Sequence, residues 1–289
     1  MTGFSAYWLS LREPVDHHSR DIALQNKLSS HFEHLFFSTD RPMRILDLGC
    51  GTGSNLRAIA DSLPAHQQWT LIDYDLELLK AAKAELTSWS GAESTAELSP
   101  LTITRQAKQI EVAFLQEDLA INIEQVLAKD CDLVTAAAFF DLVSDSWLTR
   151  FCGSLRCPFY TVLTYNGDEQ WSPVHDADAE MLQAFHRHQQ HDKGFGVAAG
   201  PNATEILIEQ LRLRAYETET ASSPWVLTAP EDQMLIQALA HGSAKAVQET
   251  ALVSNETIQS WLNRRLKATQ CVIGHSDLWS VPFKEKNRV

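Results

Sequence analysis

Apolar residues in this 289-residue chain follow two alternating rhythms. Leu24, Leu28, Phe32 and Leu35 recur every three or four positions, one face of an amphipathic helix over 16–37. The apolar run 43–48 reads as a short buried strand, stopped by the glycines of Gly-Cys-Gly-Thr-Gly at 49–53. Leu56, Ile59, Ala60 and Leu63 then resume helical spacing. A strand at 69–73 and a helix at 76–89 follow. Beyond a polar loop at 90–100, a short arm at 101–104 pairs with a strand at 110–115. Helix 123–127, strand 131–138, helix 147–155 and strand 158–165 continue the alternation. Strands and helices in this order imply a mostly parallel sheet with helices on both faces.

The rhythm breaks at Asn166. From there to Pro201 the chain is polar and rich in histidine and tryptophan, with a helix expected over 177–190. This reads as an insertion, a lid over the carboxyl ends of the strands. Helix 204–213 and strand 214–220 return to the core; helices 230–239 and 255–266 follow, and a strand at 270–281 closes the fold. The length suits one large domain. Its parts are an N-terminal helical lid (1–40), a ligand-binding half (41–165), an inserted cap (166–203) and closing strands and helices (204–289).

Charge narrows the partners. Lysine and arginine number 24 against 37 aspartates and glutamates, a formal charge of −13. An acidic surface opposes the counterion release that drives nucleic-acid binding, so no nucleic-acid partner is expected. Lys284, Lys286 and Arg288 read as a solvated basic tail. The five cysteines are dispersed without a CxxC pair, which suits reduced, mostly buried thiols in a cytoplasmic protein. The first residues lack the cationic and apolar regions of a signal peptide. No apolar run approaches the ~20 residues of a membrane span, so no membrane partner is expected.

The candidate chemistry centres on Asp47-Leu-Gly-Cys-Gly-Thr-Gly53, between a strand and a helix. Ligands of open α/β sheets bind just beyond the strand carboxyl ends. Glycines there let the backbone turn and approach a ligand, and the free N–H groups of the next helix favour an anion. A dinucleotide site would read GxGxxG; here Gly49, Gly51 and Gly53 give GxGxG, with Ser54 at the third dinucleotide glycine position. A nicotinamide dehydrogenase is therefore disfavoured.

The D-x-G-x-G-x-G string resembles the first motif of class I S-adenosylmethionine-dependent methyltransferases. The resemblance covers residues 44–165 well and the closing strands in outline. It implies a doubly wound α/β fold, a mostly parallel seven-stranded sheet with helices on both faces. It also implies S-adenosylmethionine as cofactor and S-adenosylhomocysteine as product. On this resemblance Asp47, Gly49, Gly51 and Gly53 form the cofactor loop. Asp73, with Tyr74 beside it, ends the next strand, where a carboxylate can accept both ribose hydroxyls. The alternative for Asp73 is a helix N-cap, for which Asp75 is the better placed. Asp118 and the Leu119 amide correspond to the adenine contact, and Ala137 lies in the strand whose end borders the methyl group. Two departures stand out. Ala136-Ala-Ala-Phe-Phe-Asp141 replaces the [ND]PP[YFW] tetrapeptide of amide and exocyclic-amine methylases, and Leu155-Arg-Cys-Pro158 replaces a Lys-Pro-Gly-Gly turn.

Methyl transfer needs in-line alignment in a dry site and, for oxygen or ammonium nucleophiles, removal of a proton. Candidates near the strand ends are Asp141, Tyr165 and His175, the last beside Asp176; a solvated loop histidine is the competing reading of His175. Tyr7, Trp8, Arg12, Phe139 and Trp171 are candidate substrate-binding residues, with Arg12 able to fork onto a carboxylate. Trp8 and Leu11, three apart, equally suit packing on the core. His186, His188 and His191 do not share one helix face, and no metal site is expected. These features favour a small-molecule acceptor and a monomer or homodimer. The competing readings are a protein or RNA methyltransferase, and a non-catalytic protein that binds S-adenosylmethionine or S-adenosylhomocysteine.

Overall fold

The computed structural model describes residues 4–39, 41–92, 96–192 and 194–283. The basic positions Lys284, Lys286 and Arg288 lie outside them. Two N-terminal helices, α1 (Ala6–His18) and α2 (Ile22–Phe36), precede the first strand. Asp21 starts α2 by accepting a hydrogen bond from the Leu24 amide at 2.8 Å, which satisfies one of the free N–H groups of the first turn. The helix buries Leu24, Leu28 and Phe32 as the spacing requires, whereas Leu35 stays exposed.

The half expected to bind the ligand contains β1 (Met43–Leu48), α3 (Ser54–Ile59), β2 (His66–Asp73), α4 (Leu76–Ser90), β3 (Leu101–Arg105), β4 (Lys108–Gln116), α5 (Leu119–Leu127), β5 (Leu133–Ala137) and α6 (Asp145–Ser154). Then come β6 (Phe159–Ser172), α7 (Asp178–Gln189), α8 (Ala203–Arg212), β7 (Tyr216–Ser222), β8 (Trp225–Thr228), α9 (Gln233–Thr250), α10 (Asn255–Arg265) and β9 (Gln270–Pro282). The sheet order is β3-β4-β2-β1-β5-β6-β9-β7, with β8 pairing on β9. Neighbours from β4 to β6 are parallel, and β9 runs antiparallel to β6, β7 and β8. The sheet thus has nine strands rather than seven. The additions are the expected arm β3 and the unexpected β8.

Both faces are covered, which explains why β1 is buried almost throughout. Ile45 points into one core with Trp69, Leu79 and Val162, while Leu46 and Leu48 point into the other with Ile123, Phe140 and Phe159. Among the described residues no helix is long and apolar enough to cross a membrane.

The stretch expected to be inserted behaves differently. Strand β6 does not stop at Tyr165 but runs on to Ser172 beside β9, through two shifts of register. Leu163 and Gly167 have φ of +57° and +95° there. A Cβ on Gly167 would come within 2.9 Å of Pro201, so this approach requires glycine. Polar residues hide the strand because this half of β6 lies beyond the end of β5. Helix α9 packs against both α7 and α10, and the three form one cap, whose Leu235, Ile236, Ile258 and Trp261 join the core on the Ile45 side of the sheet.

Arg265 is the centre of that cap. Fully buried, it lies between the Trp171 and Trp261 rings, 5.6 Å from each centroid. It donates to the Pro173 carbonyl at 2.6 Å and pairs with Asp178, which also accepts from Trp261 Nε1 at 2.8 Å. Removing one partner of a buried ion pair strands the other. Arg265→Ala should therefore cost about 3 kcal/mol in urea unfolding, and Arg265→Lys less.

Candidate active site

Register aligns the strand ends that must carry a ligand. Leu48 lies beside Ile72, Asp73 beside Gln116 and Ala137 beside Val162, so β1, β2, β4 and β5 finish along one edge. The loop after β1 turns through Gly49, Gly51 and Gly53 at φ of +61°, +53° and +76°. A Cβ on Gly49 would meet the Phe139 ring at 2.5 Å. Phe139 is therefore a buried wall behind the loop, edge-on to Phe140, Trp147 and Phe195.

Asp73 is nearly buried. Its two oxygens accept separately from the Gly51 and Asp75 amides, at 2.9 and 3.0 Å, which leaves lone pairs on both. Burial raises its pKa above the usual carboxylate value. The N-cap of α4 is Asp75, which accepts from the Glu77 amide at 2.9 Å. Tyr74 is exposed beside it. Asp118 caps α5 by accepting from the Ala120 amide at 2.9 Å, and buried Leu119 offers its carbonyl to Trp147 Nε1 at 2.7 Å. Ala137 ends β5.

Beneath the loop lies a buried polar chain. Asn55 Nδ2 donates to Asp47 Oδ1 at 2.8 Å and to Thr135 Oγ1 at 3.0 Å; Asn55 Oδ1 accepts from Arg20 Nη1 at 2.9 Å. Asp47 Oδ2 and Arg20 Nε and Nη2 are buried without partners. Burial pushes the Asp47 carboxyl up to about 7. Neither Arg20 nor Asn55 was marked by a motif; Arg20 stands alone between two helices, and only its partner Asn55 reveals it.

Helix α1 lies across the glycine loop. Leu9 Cδ1 is 3.0 Å from where a Gly51 Cβ would stand. His17 Nε2 lies 2.9 Å from Ser54 Oγ. Arg57 donates to both Glu13 oxygens, at 2.9 and 2.5 Å, and to the Thr52 carbonyl at 2.8 Å. Arg12 does not present its fork to a ligand. It grips Asp16 of its own helix at 2.8 and 3.1 Å and sits 4.9 Å over the Trp225 ring, whose Nε1 donates to the same Asp16 at 3.1 Å. Trp8 is half-buried against the core, while Tyr7 is 65% exposed.

Of the three candidate catalytic residues, two are brought near each other. The Tyr165 hydroxyl lies 3.1 Å from Glu169 Oε1 and 3.0 Å from His186 Nε2. Burial raises Tyr165 far above the usual phenol range, with Glu169 and Asp141 adding to it. Asp141, in the turn after β5, thus acts on the same group. Burial holds Glu169 up at about 7 and depresses His186. His275, from the facing strand, stacks edgewise on Tyr165 and tilts over Trp225. Burial pushes it down to about 3, the Arg12 charge adding to this, and its Nδ1 has no partner.

Trp171 Nε1 donates to Glu169 Oε2 at 3.4 Å and so borders this group, whereas His175 is not part of it, because β6 continues past Tyr165 and the chain then enters the cap. His175 Nδ1 accepts from the Ala177 amide at 3.1 Å, and its Nε2 lies 3.3 Å from Ser260 Oγ. Trp171 packs edge-on to Trp261. His188 pairs with Glu249 at 2.9 Å. Among the described residues no three His, Cys, Asp or Glu side chains converge as a metal site. Spacing alone did not bring Glu169, His186 and His275 together, since they come from β6, α7 and β9.

The Asp47 environment has a measurable consequence. A carboxyl raised from about 4 to about 7 on folding binds its proton more tightly when folded, so stability falls as pH climbs across that interval. Urea unfolding of the ligand-free chain should show this decline, and Asp47→Asn should reduce it by about 2–4 kcal/mol.

Residues 45–101 match the family model described as "Methyltransferase domain", from β1 to the first residue of β3. No curated protein matches the chain. Among solved structures it is similar to the plantazolicin methyltransferase BpumL in complex with S-adenosylhomocysteine, at 15% identity, over 96% of this chain and 88% of that one, with a TM-score of 0.46. It is also similar to a cyclopropane-fatty-acyl-phospholipid synthase-like protein from Lactobacillus casei ATCC 334, at 12% identity, over 92% and 98% of the two chains, with a TM-score of 0.47. Residues 45–101, the glycine loop with the strands and helices around it, are thus those of a methyltransferase domain.

Proposed function

We propose that this methyltransferase acts on a small-molecule acceptor that must lose a proton as it is methylated. The observation that carries this reading is the Tyr165 hydroxyl held between Glu169 and His186 beyond the strand ends. When bound, S-adenosylmethionine supplies a methyl group on a positively charged sulfur, already activated for displacement. Asp73, with lone pairs left on both oxygens, would hold the ribose hydroxyls, and Gly49, Gly51 and Gly53 let the backbone come close. Asp118 and the Leu119 amide would meet the adenine edge beside Tyr74, and Ala137 would border the methyl group. The unpaired Nε and Nη2 of Arg20 suit the cofactor carboxylate.

Tyr165 is too weak an acid to ionise at neutral pH. It would instead receive the acceptor proton on its oxygen while passing its own to Glu169 or His186. A base with a pKa near the working pH is the efficient choice, and Glu169 at about 7 meets that condition. Asp141 acts on the same hydroxyl, and Phe139 backs the loop. The cover provided by α1, with Tyr7 and Trp8 on it, together with the charge of −13, supports a small acceptor over a nucleic acid. Five unpaired cysteines suit a cytoplasmic protein, here read as a monomer or homodimer.

Calorimetry should show binding of S-adenosylmethionine and S-adenosylhomocysteine but not NAD; binding of NAD alone overturns the assignment. Loss of charge-assisted hydrogen bonds in Asp73→Ala should weaken S-adenosylhomocysteine binding by ~2 kcal/mol, roughly thirtyfold. Arg20→Met should weaken S-adenosylhomocysteine yet leave adenosine affinity unchanged. Incubation with methyl-labelled cofactor and a metabolite extract should yield a labelled small molecule. Label in protein or RNA instead favours a macromolecular acceptor, and no transfer despite binding favours a non-catalytic role. Transfer by the native enzyme should rise with pH through about 7, as Glu169 ionises; Glu169→Gln should be slowed at least about tenfold and lose that inflection.

A further inference from the structure

Cys131 and Cys157 lie at the opposite edge of the sheet from the cofactor loop. They precede β5 and β6, adjacent parallel strands that start in register with Val134 beside Phe159. Their Sγ atoms are 3.2 Å apart. A disulfide needs about 2.05 Å between sulfurs, so an approach of about 1.2 Å would close one. Cys131 is half-buried and Cys157 almost fully buried, which gives an outer and an inner thiol. The other cysteines, Cys50, Cys152 and Cys271, are buried and have no sulfur partner among the described residues.

We propose that Cys131 and Cys157 form a thiol-modification site that small disulfides oxidise to an internal cross-link. Cys131 attacks one sulfur of oxidised glutathione; the S–S electron pair leaves with the first glutathione, which takes up the proton Cys131 gave up. Cys157 then attacks Cys131 Sγ, releasing the second glutathione as a thiol. Two protein thiols and one glutathione disulfide thus become one protein disulfide and two glutathione thiols. The hydrogen bond shared with Cys157 lowers the Cys131 pKa, while that same bond and burial raise Cys157, so the less buried member of the pair is the better nucleophile. By contrast, burial raises Cys152 to about 12 and also raises Cys50 and Cys271. The cross-link would enclose β5 and α6, and with them Ala137, Phe139 and Asp141.

The experiment treats the full native chain with oxidised glutathione, followed by intact mass measurement and peptide mapping. The expected product has lost two hydrogen atoms, carries a Cys131–Cys157 cross-link and melts several degrees higher, and a thiol reductant restores the starting mass. Cys157→Ser should instead retain one glutathione on Cys131, and Cys131→Ser should retain none. If a variant fails to fold, alkylation of the native chain by iodoacetamide supplies the second measurement, with Cys131 reacting first. A chain that stays unmodified, stops at mixed disulfides, or cross-links only after denaturation overturns the proposal. S-adenosylhomocysteine binding plays no part in these readouts, so their failure is distinct from failure of the methyltransferase reading.

Discussion

The side-chain amide of Asn55 ties together three parts of the molecule that must hold one geometry. Its nitrogen bonds Asp47 of β1 and Thr135 of β5, and its oxygen takes the Arg20 guanidinium from the junction of α1 and α2. All four side chains are buried, where an unmade hydrogen bond costs about 1–3 kcal/mol. The glycine loop can therefore shift only if the sheet and the N-terminal helices shift with it. Asp47, which the motif presents as a ligand residue, serves first as the floor of this chain. Burial raises its pKa, and the Asn55 hydrogen bond and then the Arg20 charge moderate that rise.

A second buried carboxylate performs the corresponding task on the other side. Asp277 of β9 accepts from the Asp21 and Leu163 amides, both at 2.8 Å, and from the Ser223 hydroxyl at 2.6 Å. It holds the start of α2, the irregular point in β6 and the turn before β8 against one strand. Through it the long β6–β9 pair is fixed where it leaves the sheet, and that pair carries both the Tyr165 cluster and the cap. The candidate proton-transfer group and the cofactor loop are thus positioned by two separate buried anchors. The cap, centred on Arg265, draws its stability from different residues.

Much of the cofactor half was legible in the sequence because its signals are local. Strand 43–48 was recognisable from its apolar run and from the glycines that stop it, and helix 76–89 from its period and its Asp75 cap. Asp73 stood out because a strand end and a fixed distance from the glycines locate it. The second half resisted for equally physical reasons. The outer half of β6 is polar because it lies beyond the end of β5, so no alternation betrayed it, and Trp171, expected in an insertion, lies on that strand. Arg12 looked like a ligand fork, but Asp16, four residues on, takes it up. Glu169, His186 and His275 each look ordinary in one dimension.

The sequence by itself determined the alternating α/β order, the glycine turn, the acidic strand ends and the chemistry they suit, because each depends on neighbours a few residues away. Only the tertiary structure decided which titratable groups lie within hydrogen-bond distance of one another, which arginine is left with unpaired donors, and that the insertion and two later helices form one cap. Those outcomes depend on contacts between residues far apart in the chain. Burial sets their pKa values, and burial belongs to the assembled fold rather than to any segment of it.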